Sequence, residues 1–156
     1  MTRTGAAVAA LAAVALAIPA RATTVVPMGT RDLTRASIGA VRGQVTAIAA
    51  ARRPATGAIA TYVTLAVDEV LFGPFAGGEL VLREAGGRIG AAEEWTFGSP
   101  TYRVGERVLV FLSLHPDGTL RTTELALGKF TLRDAFGGAR AERRLGRELR
   151  TLDRRG

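Results

Sequence analysis

The chain of 156 residues suffices for one domain and a short tail, and its balance of 47% hydrophobic and 22% charged residues is that of a folded protein. It has no cysteine, which excludes disulfides, a thiol nucleophile, thiolate metal sites and a cysteine-linked lipid anchor. The net charge of +7 is concentrated in the tail: residues 133–156 hold eight arginines against four acids, whereas residues 23–132 hold eleven basic and ten acidic residues.

The N-terminus has the form of a cleavable signal peptide over residues 1–22. Arg3 gives a basic start, residues 6–18 are an unbroken apolar run, Pro19 stops a helix, and Ala20-Arg21-Ala22 fits the small-x-small rule of a leader peptidase. The run is short for a membrane span. Export to the periplasm or the extracellular space is the expectation. A retained N-terminal anchor is the rival reading.

After an extended lead-in, Thr30 or Asp32 is placed to cap a short helical turn that ends near Ser37, with Leu33 facing inward. The period then becomes two. Val41, Gly43, Val45 and Ala47 alternate with Arg42, Gln44 and Thr46, which predicts a half-buried strand. Residues 52–57 form a polar turn. A long second strand puts Ile59, Thr61, Val63, Leu65, Val67 and Leu71 on one face, broken only by Glu69. A strand of this length is usually bent or shared between sheets. Residues 72–78 form a loop, and Leu80 and Leu82 begin a third strand.

Residues 85–105 are Gly-rich and irregular. Arg107 to Leu114 is an apolar strand with both faces covered for much of its length. His115-Pro116-Asp117-Gly118 makes a hairpin turn into a fifth strand. Lys129 to Leu132 is a sixth strand or an extension of the fifth. Residues 133–156 read as a basic amphipathic helix, with Ala141, Leu145, Leu149 and Leu152 on one side and the arginines opposite. Five or six short strands with irregular loops predict a mainly β fold, a small OB-like barrel over residues 23–132, with a β-sandwich as the alternative.

The stretches VVPM…DLTRASIGAVRGQVTAI, IATYVTLAVDEVLFGP, GGRIG…FGSPTYRVGERVLVFL and LGKF resemble a group of uncharacterised exported bacterial proteins. In that group a G-x-V strand precedes a T-x-V-T-L-x-V-x-E-V-L-x-G strand and then G-E-R-V-L-V-F-L. The resemblance spans Val25 to Leu132 and omits the tail. It implies an OB-like barrel related at fold level to netrin-like and metalloproteinase-inhibitor domains, and it implies no activity. Such inhibitors present an N-terminal cysteine to the protease zinc. Here the expected mature terminus is Thr23 and cysteine is absent, so that mechanism is not implied.

No motif makes a catalytic claim. His115, the single histidine, lies in a turn with only Asp117 near it. Glu93 and Glu94 are adjacent, as are Asp68 and Glu69, and neighbours on a strand point to opposite faces. Ser99 and Ser113 lack a nucleophile-elbow context. The glycines at 86, 87 and 90 do not open a helix as a phosphate loop requires. No metal or cofactor site is read. Trp95, Phe97 and Tyr102 are the candidate ligand-binding face, or else they plug one end of the barrel. The near-neutral body argues against nucleic acid. Arg143, Arg147, Arg150 and Arg154 are the candidate contacts to an anionic membrane surface or acidic partner, unless the tail docks on the barrel through its leucines.

The expected function is an exported, non-catalytic binding or interaction domain for a protein or envelope ligand. The alternatives are a periplasmic envelope or assembly factor that uses the basic tail, and an enzyme with dispersed polar residues. Ligand and oligomeric state stay unassigned. N-terminal sequencing of the exported protein should read Thr23 first; a product that still begins near Met1 would refute the cleavage site.

Overall fold

The computed structural model describes residues 28–135, 138–145 and 148–152. The expected signal peptide, 1–22, lies outside them. A short helix, α1 (Thr30–Ala36), leads into β1 (Gly39–Arg52), β2 (Ile59–Phe72) and β3 (Gly78–Ala85). A small hairpin follows, β4 (Gly87–Ile89) with β5 (Ala92–Glu94), inside the segment expected to be wholly irregular. Then come β6 (Arg107–Leu114), β7 (Leu120–Thr122), a 3-10 turn at Leu125–Gly128, β8 (Lys129–Ala135), β9 (Gly138–Leu145) and β10 (Glu148–Leu152).

Five strands close a barrel in the order β1-β2-β3-β7-β6, with β6 returning to β1. All neighbours are antiparallel except β3 and β7, which are parallel and share the single ladder pair Leu82–Leu120. This is the mainly β, OB-like barrel that the strand pattern predicts, and not a sandwich. The 3-10 turn lifts the chain off β6 after β7. It then returns as β8 to pair the first half of β6.

Bulges settle what the alternation of β1 and β2 left uneven. The register slips at Asp68, between Arg42–Glu69 and Gly43–Val67. An extra residue reverses the inside–outside phase, so Glu69 leaves the apolar face and meets Arg42, Nη1 to Oε2 at 2.7 Å. Leu71 is correspondingly exposed and Val67 only half-buried, where strict alternation would bury both. A second slip, at Thr46, exposes Ala47 and turns Ile48 toward the end of the barrel. Gly43 is required at this crowded point because a Cβ would sit 2.3 Å from the carbonyl oxygen of Ala66.

Two apolar clusters fill the molecule. Inside the barrel Val41, Val45, Val63, Leu65, Leu82, Val108, Val110 and Leu112 are buried together with Tyr102. Outside it Leu33, Ala40, Phe111 and Phe130 form a second cluster, with Phe111 edge-on to Phe130 at 6.1 Å. Strand β6 feeds both clusters from its two faces, which is why it reads as a continuous apolar run. Leu33 faces inward as expected. Helix α1 is, however, preceded by Gly29 with no side-chain cap, so neither Thr30 nor Asp32 acts as one.

The tail is not helical. Residues 138–145 and 148–152 form a hairpin added to the open edge of β8, with Thr131–Glu142 and Leu132–Ala141 in register. Gly137, Gly138 and Gly146 each disfavour a helix by about 1 kcal/mol relative to alanine. The unpaired edge of β8 offers backbone partners that an isolated helix would lack. Ala141 then packs on the outer cluster. The helix expected to dock on the barrel through its leucines therefore does not form over residues 138–145 and 148–152.

Truncating a barrel-interior side chain should cost much more than truncating an exposed one on a neighbouring strand. Leu65→Ala should lose about 2–5 kcal/mol in urea unfolding, and Val81→Ala, at an exposed position, less than about 0.5 kcal/mol. Equal losses would contradict the assigned faces.

Candidate functional site

The end of the barrel opposite the His115 turn is built by the β4–β5 hairpin and the loop that follows it. Gly86 and Gly87 take φ of +85° and +140°, which side chains rarely adopt, and let the hairpin fold against β1 and β2. A Cβ on Gly87 would strike Thr61 Oγ1 at 2.5 Å. Thr61 Oγ1 donates to the Gly86 carbonyl at 2.7 Å, and Ile59 N–H donates to Glu94 Oε2 at 2.8 Å. Ser99 Oγ donates to the Ala85 carbonyl, and Ala126 N–H to the Gly98 carbonyl. The loop is thus tied at both ends.

These contacts enclose a cavity of about 330 Å³, lined among others by Ile48, Thr61, Glu84, Arg88, Trp95 and Tyr102. At its mouth Trp95 is 77% exposed and Phe97 53%, and the two rings meet edge to face at 5.8 Å. Tyr102, expected to share that face, is instead buried in the barrel, its hydroxyl 2.6 Å from Thr122 Oγ1. Lys129 Nζ lies 4.6 Å above its ring. The expected aromatic trio is therefore split into an exposed pair and one structural tyrosine.

The residue that sequence reasoning missed is Glu84. It follows Leu80 and Leu82 on the inward face of β3 and is 3% exposed. The signal was present: strict alternation from Leu80 and Leu82 puts a glutamate at the next interior position. Its Oε1 accepts from Thr122 N–H at 2.9 Å and from Thr122 Oγ1 at 2.6 Å. Among the described residues its Oε2 has no hydrogen-bond partner. Burial pushes the carboxyl above its ordinary value, against the lowering effects of the Thr122 bonds and the Arg121 charge. Tyr102 is likewise raised well above the usual tyrosine range, first by burial and then by the charge of Glu84.

A larger groove, about 670 Å³, lies on the other side of the 99–101 segment. Arg103, Arg107, Lys129 and Arg133 line it, but most of their charge is already used. Lys129 Nζ donates to both oxygens of Glu106 at 2.8 Å and to the Thr101 carbonyl. Arg107 reaches Asp134 at 3.3 Å and Arg133 reaches Glu142 at 3.2 Å. Desolvation lowers the Lys129 pKa despite Glu106. This is an internal ion cluster that holds β6, β8 and β9 together.

Of the acidic and basic candidates, Glu93 and Glu94 line the smaller cavity with Glu84, whereas Asp68 and His115 do not. Glu93 Oε2 pairs with Arg88 at 2.6 Å, and Asp68 is exposed on β2. His115 lies in its turn, its N–H on the Thr119 carbonyl at 2.9 Å. In that turn Asp117 accepts from Thr119, Arg83 and Arg121, and the bonds from Thr119 and then Arg83 hold its carboxyl far below the ordinary range. Arg143, expected to contact an anionic surface, is 7% exposed. Its Nη1 donates to the Leu127 carbonyl at 2.7 Å and its Nη2 to that of Met28 at 3.0 Å, and it stacks on Phe130. Strand placement buried it, which a helical reading hides. Arg147 and Arg154 lie outside the described residues. Arg150 is described as a backbone position opposite Arg143. Comparison of the chain with family models, with curated proteins and with solved structures found no match.

The raised pKa of Glu84 has a signed consequence. Its ionised form is less favourable in the folded than in the unfolded state. The stability that goes with the neutral carboxyl is therefore intact below the unfolded value and is lost as pH rises through the folded value. Glu84→Gln stays neutral and keeps an acceptor for Thr122. Going from about pH 3 to about pH 7, the variant's melting temperature should rise relative to that of the wild type. A difference that is constant or shrinks would show that the fold does not desolvate Glu84.

Proposed function

We propose that this chain is an exported, non-catalytic binding module whose ligand contacts the Trp95–Phe97 pair at the mouth of the barrel-end cavity. The observation that carries this reading is the exposure of the only tryptophan in the chain, beside a phenylalanine. At 77% the tryptophan is the most exposed of the large apolar side chains among the described residues, and leaving so large a ring in water forgoes stability that burial would add. Tryptophan is also the side chain most often found at the energetic centre of a binding surface. The loop's ties to Ala85 and Leu125–Gly128 hold the pair in place before a ligand arrives, which lowers the ordering cost of binding.

The cavity behind the pair is of a size that suits a small ligand or a single side chain of a larger one. Asp68 and His115 stand away from the cavity, and Glu93 there is already paired with Arg88, which favours binding over acid–base chemistry. The near-neutral body favours a ligand other than nucleic acid. The signal-peptide pattern supports an envelope or extracellular setting.

A fragment set screened by amide and indole NMR shifts on the full chain tests the reading. Hits should cluster at Trp95, Thr96, Phe97 and the Gly86–Gly87 turn. Trp95→Ala should abolish them while shifting stability by less than about 0.5 kcal/mol. Hits confined to the groove around Lys129, or a large loss of stability in Trp95→Ala, would refute it.

A further inference from the structure

We propose that the barrel-end cavity takes an organic cation, an alkylammonium or guanidinium group on an apolar stem, with Glu84 as its buried counter-charge and Trp95 as its aromatic wall. The inference rests on the binding-module reading and names the ligand class for that same site.

The first observation is the state of Glu84. The side chain is almost wholly buried and lines the cavity. Oε1 is saturated by the two bonds from Thr122, whereas Oε2 has no partner among the described residues. Oε2 is not sealed from solvent, but on so deeply buried a side chain it gives up part of the solvation it would have in bulk water, at a cost. A donor carrying positive charge relieves that cost best. Among the described residues Arg121 acts on Glu84 through its charge but does not bond it. Arg121, on β7, directs Nη2 to Asp117 at 3.4 Å instead.

The second observation is the balance of the lining. Glu84, Glu93 and Glu94 face one guanidinium, that of Arg88. Arg88 is already bonded to Glu93. Arg52 stands 4.0 Å from Glu94 Oε1, but outside the lining. The cavity is therefore acidic in a body that is nearly neutral. Among the described residues no three carboxylates converge as a metal ion needs. A cation long enough to reach from the mouth to Glu84 matches the spread of charges better than a point ion.

The third observation is Trp95. Indole is the best side-chain face for a cation, and an exposed one beside carboxylates suits an ammonium or guanidinium more than an anion or a neutral apolar group. Tyr102 also lines the cavity, but Lys129 already lies over its ring, so Trp95 is the exposed aromatic wall.

The same chemistry is found in a free amine and in a lysine or arginine side chain of a partner protein. Trp95 is the only tryptophan, so its emission reports on the site directly. The full chain is titrated with agmatine, with butylammonium, and with butanol as the neutral counterpart. A lysine-containing peptide and its acetyl-lysine twin are titrated in parallel. The cations should bind and shift Trp95 emission, butanol should not, and Glu84→Gln, with its fold verified by circular dichroism, should weaken the cations at least tenfold. Preference for the free amines or for the unacetylated peptide identifies the source. Equal binding of butanol, or cation binding unchanged in Glu84→Gln, would overturn the cation inference while leaving the binding module standing. Silence of Trp95 toward every probe overturns the cation inference, and the binding module falls with it only if fragments also miss the Trp95 face.

Discussion

The barrel closes at its weakest seam through one buried carboxylate. Strands β3 and β7 run parallel and share a single ladder pair, Leu82–Leu120. Two residues further along each strand, the Thr122 N–H and hydroxyl both end on Glu84 Oε1. Glu84 thus supplies the acceptor where a longer ladder would have used a backbone carbonyl. Tyr102 extends the chain of hydrogen bonds through Thr122, and Arg83, Asp117 and Arg121 tie the same strands at the turn. Apolar packing alone would leave Thr122 with buried, unsatisfied groups. The rest of the barrel depends on this polar closure.

Strand β6 carries the second constraint. Its inward side chains, Val108, Val110 and Leu112, fill the barrel, and its outward ones, Leu109 and Phe111, need cover. Helix α1 supplies Leu33, β8 supplies Phe130 and β9 supplies Ala141. Arg143 clamps this layer by reaching both Leu127 and Met28 carbonyls across the face of Phe130. A guanidinium can be buried here because two carbonyls and a ring accept its donors and charge. The tail arginines thus do not form one uniform surface.

The seam and the cavity meet at Glu84. One oxygen closes the seam and the other borders the cavity behind Trp95. Closing a barrel with a carboxylate rather than an amide leaves a net charge at the cavity floor, in a place where water screens it poorly. The polar closure of the seam and the acidic lining of the cavity both draw on this one side chain. The ion cluster of Lys129 and Glu106, on the other side of residues 99–101, differs because its charges satisfy one another.

Much of the architecture was legible in the sequence because local periodicity reports which side of a strand is dry. The β2 alternation, the doubly apolar β6, the Pro-Asp-Gly turn and the inward Leu33 are all properties of short windows. Glu84 was legible by the same rule, at the next interior position after Leu80 and Leu82. Tertiary contacts decided the rest. The bulge that moves Glu69 outward depends on where β1 pairs with β2, and Arg143 is buried only because Met28, Leu127 and Phe130 assemble around it. The tail has both a 3.6-residue pattern and glycines against it, and the open edge of β8 chose the strand. The sequence by itself determined which residues must be hidden from water. The tertiary structure decided which polar groups are hidden with them, because a buried carboxylate or guanidinium is stable only where distant parts of the chain bring it partners.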